Sequence, residues 1–174
     1  MTETLLDTER TDILEVLAQH RYFLRHTVRD LTDEQAGLRT TASELCLGGL
    51  IKHVSAVEAN WAGFIVDGPA KGPDFSSMTE EQMAKWGEIF RMLPEDTLEG
   101  VLAEYERVAA RTDELVRTLP DLNASQLLPE APWFEPGVRW TARRTFMHIA
   151  SETAQHAGHA DIIRESLDGA KSMG

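Results

Sequence analysis

Four long segments of the sequence repeat apolar residues at spacings of three and four, and this repeat constrains the fold more than any other feature. Such spacing places the apolar side chains on one face of an α-helix. Each apolar face needs another element to cover it, so four such helices predict an all-α fold, an antiparallel four-helix bundle with long connections. The predicted helices run from Thr8 to about Asp30, from about Leu47 to Val66, from about Thr97 to Leu119 and from about Thr141 to Leu167.

Residues that end helices follow these segments. Gly68 and Pro69 follow the second segment, Pro120 follows the third and Gly169 follows the fourth. Glycine adopts the left-handed conformation that closes a helix, and proline cannot continue one. These residues therefore support the predicted boundaries.

The segments between the helices are predicted to be largely irregular. Residues 69–96 form a long connection with a short helix in TEEQMAKWGEIF, and LPEAPWFEPGVRW forms a second irregular stretch. The residues TDEQ, from Thr32 to Gln35, have the form of a capping box, which predicts a short helix after the first long one. No segment alternates apolar and polar residues clearly enough to predict a strand.

The composition is typical of one globular domain, which we expect to span residues 1–174. No apolar run reaches the roughly 18–20 residues that a membrane span needs, and the N-terminus is acidic where a secretory signal would be basic. We therefore expect a cytoplasmic protein that does not contact a membrane. Cys46 is the only cysteine, so no intrachain disulfide can form and a buried, unreactive side chain is expected there.

The charge balance excludes one class of partner. The formal net charge is -12, from 29 acidic and 17 basic residues, and such a chain repels a nucleic-acid backbone. We therefore expect no nucleic-acid partner. The sequence does not fix the oligomeric state, and a homodimer is compatible with it.

The stretch HIASETAQHAGHADIIRESLDG gathers three of the six histidines on the fourth predicted helix. At about 100° per residue, Glu152 and His156 are neighbours on one helix face, and His159 shares that face. His148 lies one turn before Glu152 and about 16 Å from His159 along the helix, so these two histidines cannot bind one ion together. Glu152 and His156 are candidate metal ligands, although a carboxylate and a histidine four residues apart are also a common surface pair.

A metal site needs a further ligand from another helix, and His53 is the candidate. It lies midway along the second predicted helix among core-like residues, and Gly48 and Gly49 before it would let a neighbouring element pack closely. A buried imidazole needs a polar partner. The sequence leaves two interpretations of His53 open, a metal ligand or a histidine that is hydrogen-bonded in the core.

The block GGLIKHVSAVEANWAGFIVDG, together with VRWTARRTFMHIASETAQHAGHADIIRESLDG, resembles the DinB-like superfamily of four-helix-bundle metalloproteins. Within it, the chain resembles the mycothiol-dependent S-transferases in particular, and it is also similar to the mycothiol-dependent maleylpyruvate isomerases. The resemblance extends from DTERTDILEVLAQHRYFLRH to SLDGA near the C-terminus. Its most specific part is HAGHAD, which follows a carboxylate four residues before its first histidine.

The resemblance implies a divalent metal, with zinc expected first and nickel as an alternative. The positions that match the family's ligands are His53, Glu152 and His156, with a carboxylate where many members have histidine. His159, where many relatives have glutamine, is implied as a catalytic residue. It could also be the third ligand instead of Glu152, hold a ligand in place, or bind the thiol cofactor. Trp61, two turns beyond His53, is expected to line the pocket that binds the thiol cofactor.

The implied function is that of a metal-dependent S-transferase that conjugates mycothiol, a low-molecular-weight thiol, to electrophilic small molecules. A metal with three protein ligands keeps a free position, where a thiol would be deprotonated, and His159 or His148 could carry the proton. Two alternatives remain at this level. A hydrolase on the same bundle would use water with Glu152 as the base, and a stress protein would bind the metal without turnover.

Overall fold

The computed structural model describes residues 7–70, 78–131 and 133–172, and helices make up most of these ranges. The prediction of an all-α fold is confirmed at this level. Residues 71–77, in the predicted long connection, lie outside the described residues. The helices are α1 (Thr8–His26), α2 (Asp33–Gly37), α3 (Leu47–Asp67), α4 (Glu80–Gly87), a 3-10 helix (Glu88–Phe90), α5 (Leu98–Thr118) and α6 (Ala142–Asp168).

The boundaries of α3, α5 and α6 agree with the prediction to within a residue. Thr97 and Thr141 precede α5 and α6, and each side chain accepts a hydrogen bond from the backbone N–H three residues later. These contacts satisfy N–H groups that have no partner inside the helix. Gly68 and Gly169 end α3 and α6 with φ of 79° and 81°, a conformation that favours glycine.

The two short helices are also confirmed. Thr32 caps α2 with the predicted capping box, in which Thr32 and Gln35 exchange side chain to backbone hydrogen bonds of 3.0 and 3.2 Å. Thr79 and Gln82 form the same arrangement at the start of α4, inside the stretch where a short helix was predicted.

The first helix ends earlier than predicted. It ends at His26 instead of about Asp30, and Asp30 has φ of 60°, which is incompatible with a continuing helix. The Arg164 side chain of α6 donates hydrogen bonds to the carbonyls of Thr27 and Arg29, at 2.9 and 2.8 Å. In a continuing helix, these two carbonyls would instead accept hydrogen bonds from backbone N–H groups of the next turn.

The structure contains two short strands that were not predicted. β1 (Ser125–Leu127) and β2 (Arg139–Thr141) pair antiparallel, with Ser125 opposite Thr141. Each strand has three residues, too few for an alternating pattern to be recognised in the sequence. Thr141 ends β2 and also caps α6, so the sheet fixes the start of the last helix.

In the described part of the chain, buried apolar side chains form three clusters, two along the long helices and a smaller one of Phe64, Leu128 and Trp140. Cys46 is buried beside the first cluster, at 2% exposure, and it is a free thiol as expected. Within the described ranges, no helix is long and apolar enough to cross a membrane. The first cluster includes Leu24, Leu50, Val54, Tyr105 and Ala160, and the second includes Leu17, Ile65, Val116, Phe146 and Ile149.

The long helices do not all run antiparallel to their neighbours, and that part of the prediction is wrong. α1 packs against α5 and α6, and α3 packs against the same two helices. The first cluster joins the C-terminal halves of α1 and α6 to the N-terminal halves of α3 and α5. α1 and α6 therefore run parallel, and α3 and α5 run parallel to each other in the opposite direction. The hydrophobic repeat is the same for a helix that runs in either direction. The direction depends on the end of the molecule at which each connection leads the chain into the next helix.

The connection between α3 and α5 packs its own side chains against the start of α3. Because α3 and α5 begin at the same end, this connection must travel the length of the helices, and its 3-10 helix packs against α3. A Cβ on Gly49 would overlap the carbonyl of Phe90, and one on Gly48 would overlap the side chain of Met92. The predicted close approach at these glycines is therefore confirmed, and it places Phe90 beside His53.

Candidate metal centre

Three predicted site residues lie together between α3 and α6. His53 comes from α3, and Glu152 and His156 lie one turn apart on α6. One possible donor atom from each of the three side chains lies within 4.8 Å of the other two. The rings of His53 and His156 meet edge to face, with centroids 4.8 Å apart. The antiparallel packing of α3 against α6 thus brings together residues that are about 100 positions apart in the sequence.

The carboxylate of Glu152 faces a histidine on each side. Its Oε2 lies 3.7 Å from Nε2 of His156, and its Oε1 lies 4.0 Å from Nε2 of His148, one turn earlier. Both distances are longer than a hydrogen bond. Neither histidine donates a direct hydrogen bond to Glu152 at these distances, so the carboxylate can take part in binding a cation.

Burial keeps the imidazoles of the group neutral. Burial, with a smaller contribution from the neighbouring His156, lowers the pKa of His53 to about 4. Burial also lowers the pKa of His156, against the attraction of Glu152. Neutral imidazole is the form that binds metals, because a protonated ring has no free lone pair.

The donor group fits a divalent transition metal. The Nδ1 atom of His53 is buried and has no hydrogen-bond partner among the described residues. A buried polar atom without a partner is unfavourable unless something absent from the protein chain supplies the partner. Two imidazoles and one carboxylate form a known catalytic zinc ligand set. Zinc ligands lie about 3.4 Å apart around a tetrahedral ion, so the side chains need only small movements.

Phe90 forms one wall of the group. Its ring stacks on that of His53, with centroids 4.2 Å apart and an angle of 25° between the planes. This contact fixes the plane of the imidazole and removes water from one of its faces. Phe90 was not predicted from the sequence, where its only signal was its place at the end of the predicted short helix.

His159 lies next to the group on α6. Its Nδ1 is 3.4 Å from Nδ1 of His156, and the two ring centroids are 5.4 Å apart. The close group of donor atoms found in the described residues includes Glu152 and does not include His159. His159 is therefore placed to contact His156 from the side away from Glu152.

Trp61 belongs to a cluster of aromatic rings that contacts His148, one turn before Glu152 on α6. Its ring stacks on Trp140 at 5.0 Å, and it meets Phe134 at 6.4 Å and His148 at 4.9 Å. Arg144 lies over the Trp140 ring, 4.5 Å from its centroid. Trp140 and Phe134 were missed as site neighbours, because they lie in the stretch predicted to be irregular.

The chain matches a known protein family. The family model described as Mycothiol-S-transferase matches residues 12–169, which contain all the side chains of the group and its aromatic neighbours. No curated protein matches the chain.

Proposed function

The chain belongs to the mycothiol-S-transferase family, which makes it an enzyme, a thiol S-transferase, and we propose that a divalent cation supports its reaction. The proposed ligands are His53, Glu152 and His156. Two observations carry this proposal: possible donor atoms of the three side chains lie within 4.8 Å of one another, and the buried Nδ1 of His53 lacks a partner among the described residues. Zinc suits the ligand set best, and nickel is the alternative.

The proposed architecture is the DinB-like four-helix bundle, as one domain. The packing of α1 and α3 against both α5 and α6 supports it, since each long helix then has two neighbours. In this arrangement the ligand group lies at the contact between α3 and α6. Two connections flank it, one carrying Phe90 and the other carrying Trp140.

The proposed reaction joins the sulfur of mycothiol to an electrophilic carbon of a small molecule. The thiolate either displaces a leaving group, which departs with its bonding electrons, or adds to a conjugated alkene, whose neighbouring carbon then takes up a proton. A divalent cation with a free coordination position favours the thiolate form of a thiol that binds there. The thiol then loses its proton, and we assign the acceptor role to His159, which lies beside His156 and is only partly buried. Trp61 forms part of the apolar wall against which the thiol substrate packs.

The test of this function is a requirement for both the thiol and the ligand residues. Zinc-loaded protein, mycothiol and a chromogenic electrophile are mixed, and product formation is followed by absorbance. The expected rate is well above that of mycothiol and electrophile alone. His156→Ala should reduce it at least about 100-fold, since a metal contributes several kcal/mol to such reactions.

His26→Ala serves as the matched control, because His26 lies on α1 and stacks on Tyr22. Its rate should equal that of the wild type. A wild-type rate no faster than the uncatalysed thiol reaction would contradict the proposed function. Turnover of an activated ester without any thiol would instead identify a hydrolase.

A further inference from the structure

The ring of His148 packs against two stacked tryptophan rings. Its ring meets that of Trp61 at a centroid distance of 4.9 Å and an angle of 82°, and that of Trp140 at 5.0 Å and 67°. The two indoles are themselves stacked, 5.0 Å apart and 20° from parallel. They come from different elements, α3 and β2, and their contacts restrict the imidazole.

The free edge of this imidazole points along α6 towards the ligand group. Its Nε2 lies 4.0 Å from Oε1 of Glu152, while the other carboxylate oxygen faces Nε2 of His156 at 3.7 Å. The two oxygens of Glu152 are thus divided between two histidines. One oxygen lies on the side of the proposed ligands, and the other lies on the side of His148.

We propose that His148 is a positioning residue, which holds the outer oxygen of Glu152 through its Nε2–H so that the inner oxygen binds the metal. This inference rests on the proposed function, since it assumes that Glu152 is a ligand. A glutamate side chain alone can rotate its carboxylate, and partners outside the ligand set restrict that rotation in metal sites. The gap of 4.0 Å is closed either by a small movement of Glu152 or by one bridging water.

The simplest competing explanation is that the His148 side chain only makes packing contacts with the two tryptophans. A phenyl ring would then serve as well as an imidazole. The two explanations differ in whether the Nε2–H donor of His148 affects metal binding. The experiment therefore compares side chains of similar size with and without a donor.

The experiment measures zinc affinity by competition with a chromogenic chelator, and the absorption spectrum of the cobalt(II)-loaded protein. His148→Phe should bind zinc about 10–100-fold more weakly than the wild type and should change the cobalt spectrum. His148→Gln, which keeps an N–H donor, should recover most of the affinity. His26→Phe, the same substitution at a histidine that also contacts an aromatic ring, should behave as the wild type does.

His148→Met provides the comparison if the phenylalanine variant does not fold, because methionine resembles glutamine in length and has no donor. His148→Gln should then bind zinc about tenfold more tightly than His148→Met. Equal affinities and equal cobalt spectra in all folded variants would overturn the inference while leaving the proposed metal site intact. Failure of the wild type to bind zinc or cobalt would overturn the metal site itself.

Discussion

His53 combines three properties that bear on metal binding. Its side chain is half-buried, its buried Nδ1 lacks a hydrogen-bond partner among the described residues, and its ring is stacked on Phe90. Burial of an unsatisfied polar atom costs about 1–3 kcal/mol. A cation bound to this nitrogen, as proposed, would remove that cost.

The buried imidazole predicts a loss of stability in acid for the metal-free protein. Burial, with a smaller contribution from His156, lowers the pKa of His53 from 6.5 to about 4 in the folded state. Between these pH values the unfolded chain binds a proton that the folded chain does not. The free energy of unfolding should therefore fall as the pH is lowered from 6.5 towards 4, and the lowered pKa values of His148 and His156 act in the same direction.

Urea unfolding in the presence of a chelator, at about pH 7.5 and about pH 5, measures this effect. His53→Leu removes the titrating group and should lose less stability than the wild type between the two pH values. An identical loss in both proteins would show that His53 does not contribute.

Part of the candidate site was predictable at the level of single residues. The spacing of Glu152 and His156 indicated a shared helix face, and the core-like neighbours of His53 indicated burial. The contacts of His53 with Phe90 and of His148 with Trp140 were not predictable. They join residues from different elements, and the sequence does not state which turn of one element faces which turn of another.

At the scale of elements, the close packing of the 3-10 helix against α3 places Phe90 against His53. Gly49→Ala would place a Cβ against the backbone of Phe90 and Arg91, which cannot yield as a flexible side chain can. The 3-10 helix must then move away, and Phe90 moves with it from His53. We expect a lower melting temperature and weaker zinc binding, measured by thermal unfolding and chelator competition.

Gly63→Ala is the matched control on the same helix, because a Cβ there meets nothing within 4 Å. Alanine is a better helix former than glycine, so this variant should be more stable by up to about 1 kcal/mol. If Gly49→Ala were stabilised to the same extent, the packing of the 3-10 helix would have no role in fixing the site.

The elements themselves were largely predictable because their ends carry explicit signals. Gly68 marks the end of α3, Thr97 marks the start of α5, and Thr141 and Gly169 mark the two ends of α6. The early end of α1 was not predictable, since it depends on Arg164 of α6, far along the chain. The strands β1 and β2 were missed because three residues give too short a pattern.

At the scale of the whole molecule, a buried ion pair ties three of the long helices together. Arg21 of α1 forms a bidentate pair with Glu58 of α3 and a further contact of 2.7 Å with Asp113 of α5. Glu58 is 1% exposed and Arg21 is 5% exposed. Removing the arginine would leave a carboxylate deep in the core without its counter-charge.

Arg21→Met should therefore destabilise the protein by about 3–5 kcal/mol, as the loss of one partner of a buried pair does. Arg25→Met is the matched control four residues later on α1, since Arg25 and Glu106 form an exposed pair. That variant should lose less than about 1 kcal/mol. Urea unfolding of both variants measures the difference, and equal effects would mean that burial of the pair is unimportant.

The directions of the helices belong to this scale, and the sequence did not determine them. The apolar repeat predicted four helices that share a core, but it gives the same pattern whichever way a helix runs. The structure shows two parallel pairs, because the connection between α3 and α5 crosses the length of the molecule. The same connection places Phe90 beside His53. The helix directions and the position of Phe90 were therefore missed for one reason, which is the path of this connection.

The most direct test of the account is the metal content of the whole protein. Purified wild type, His53→Ala, Glu152→Gln and His156→Ala are loaded with zinc, desalted and analysed for metal per chain, with His26→Ala as the control. The account predicts one zinc per chain in the wild type and in the control, and little or none in the three ligand variants. Stoichiometric zinc in every protein, or none in the wild type, would contradict it.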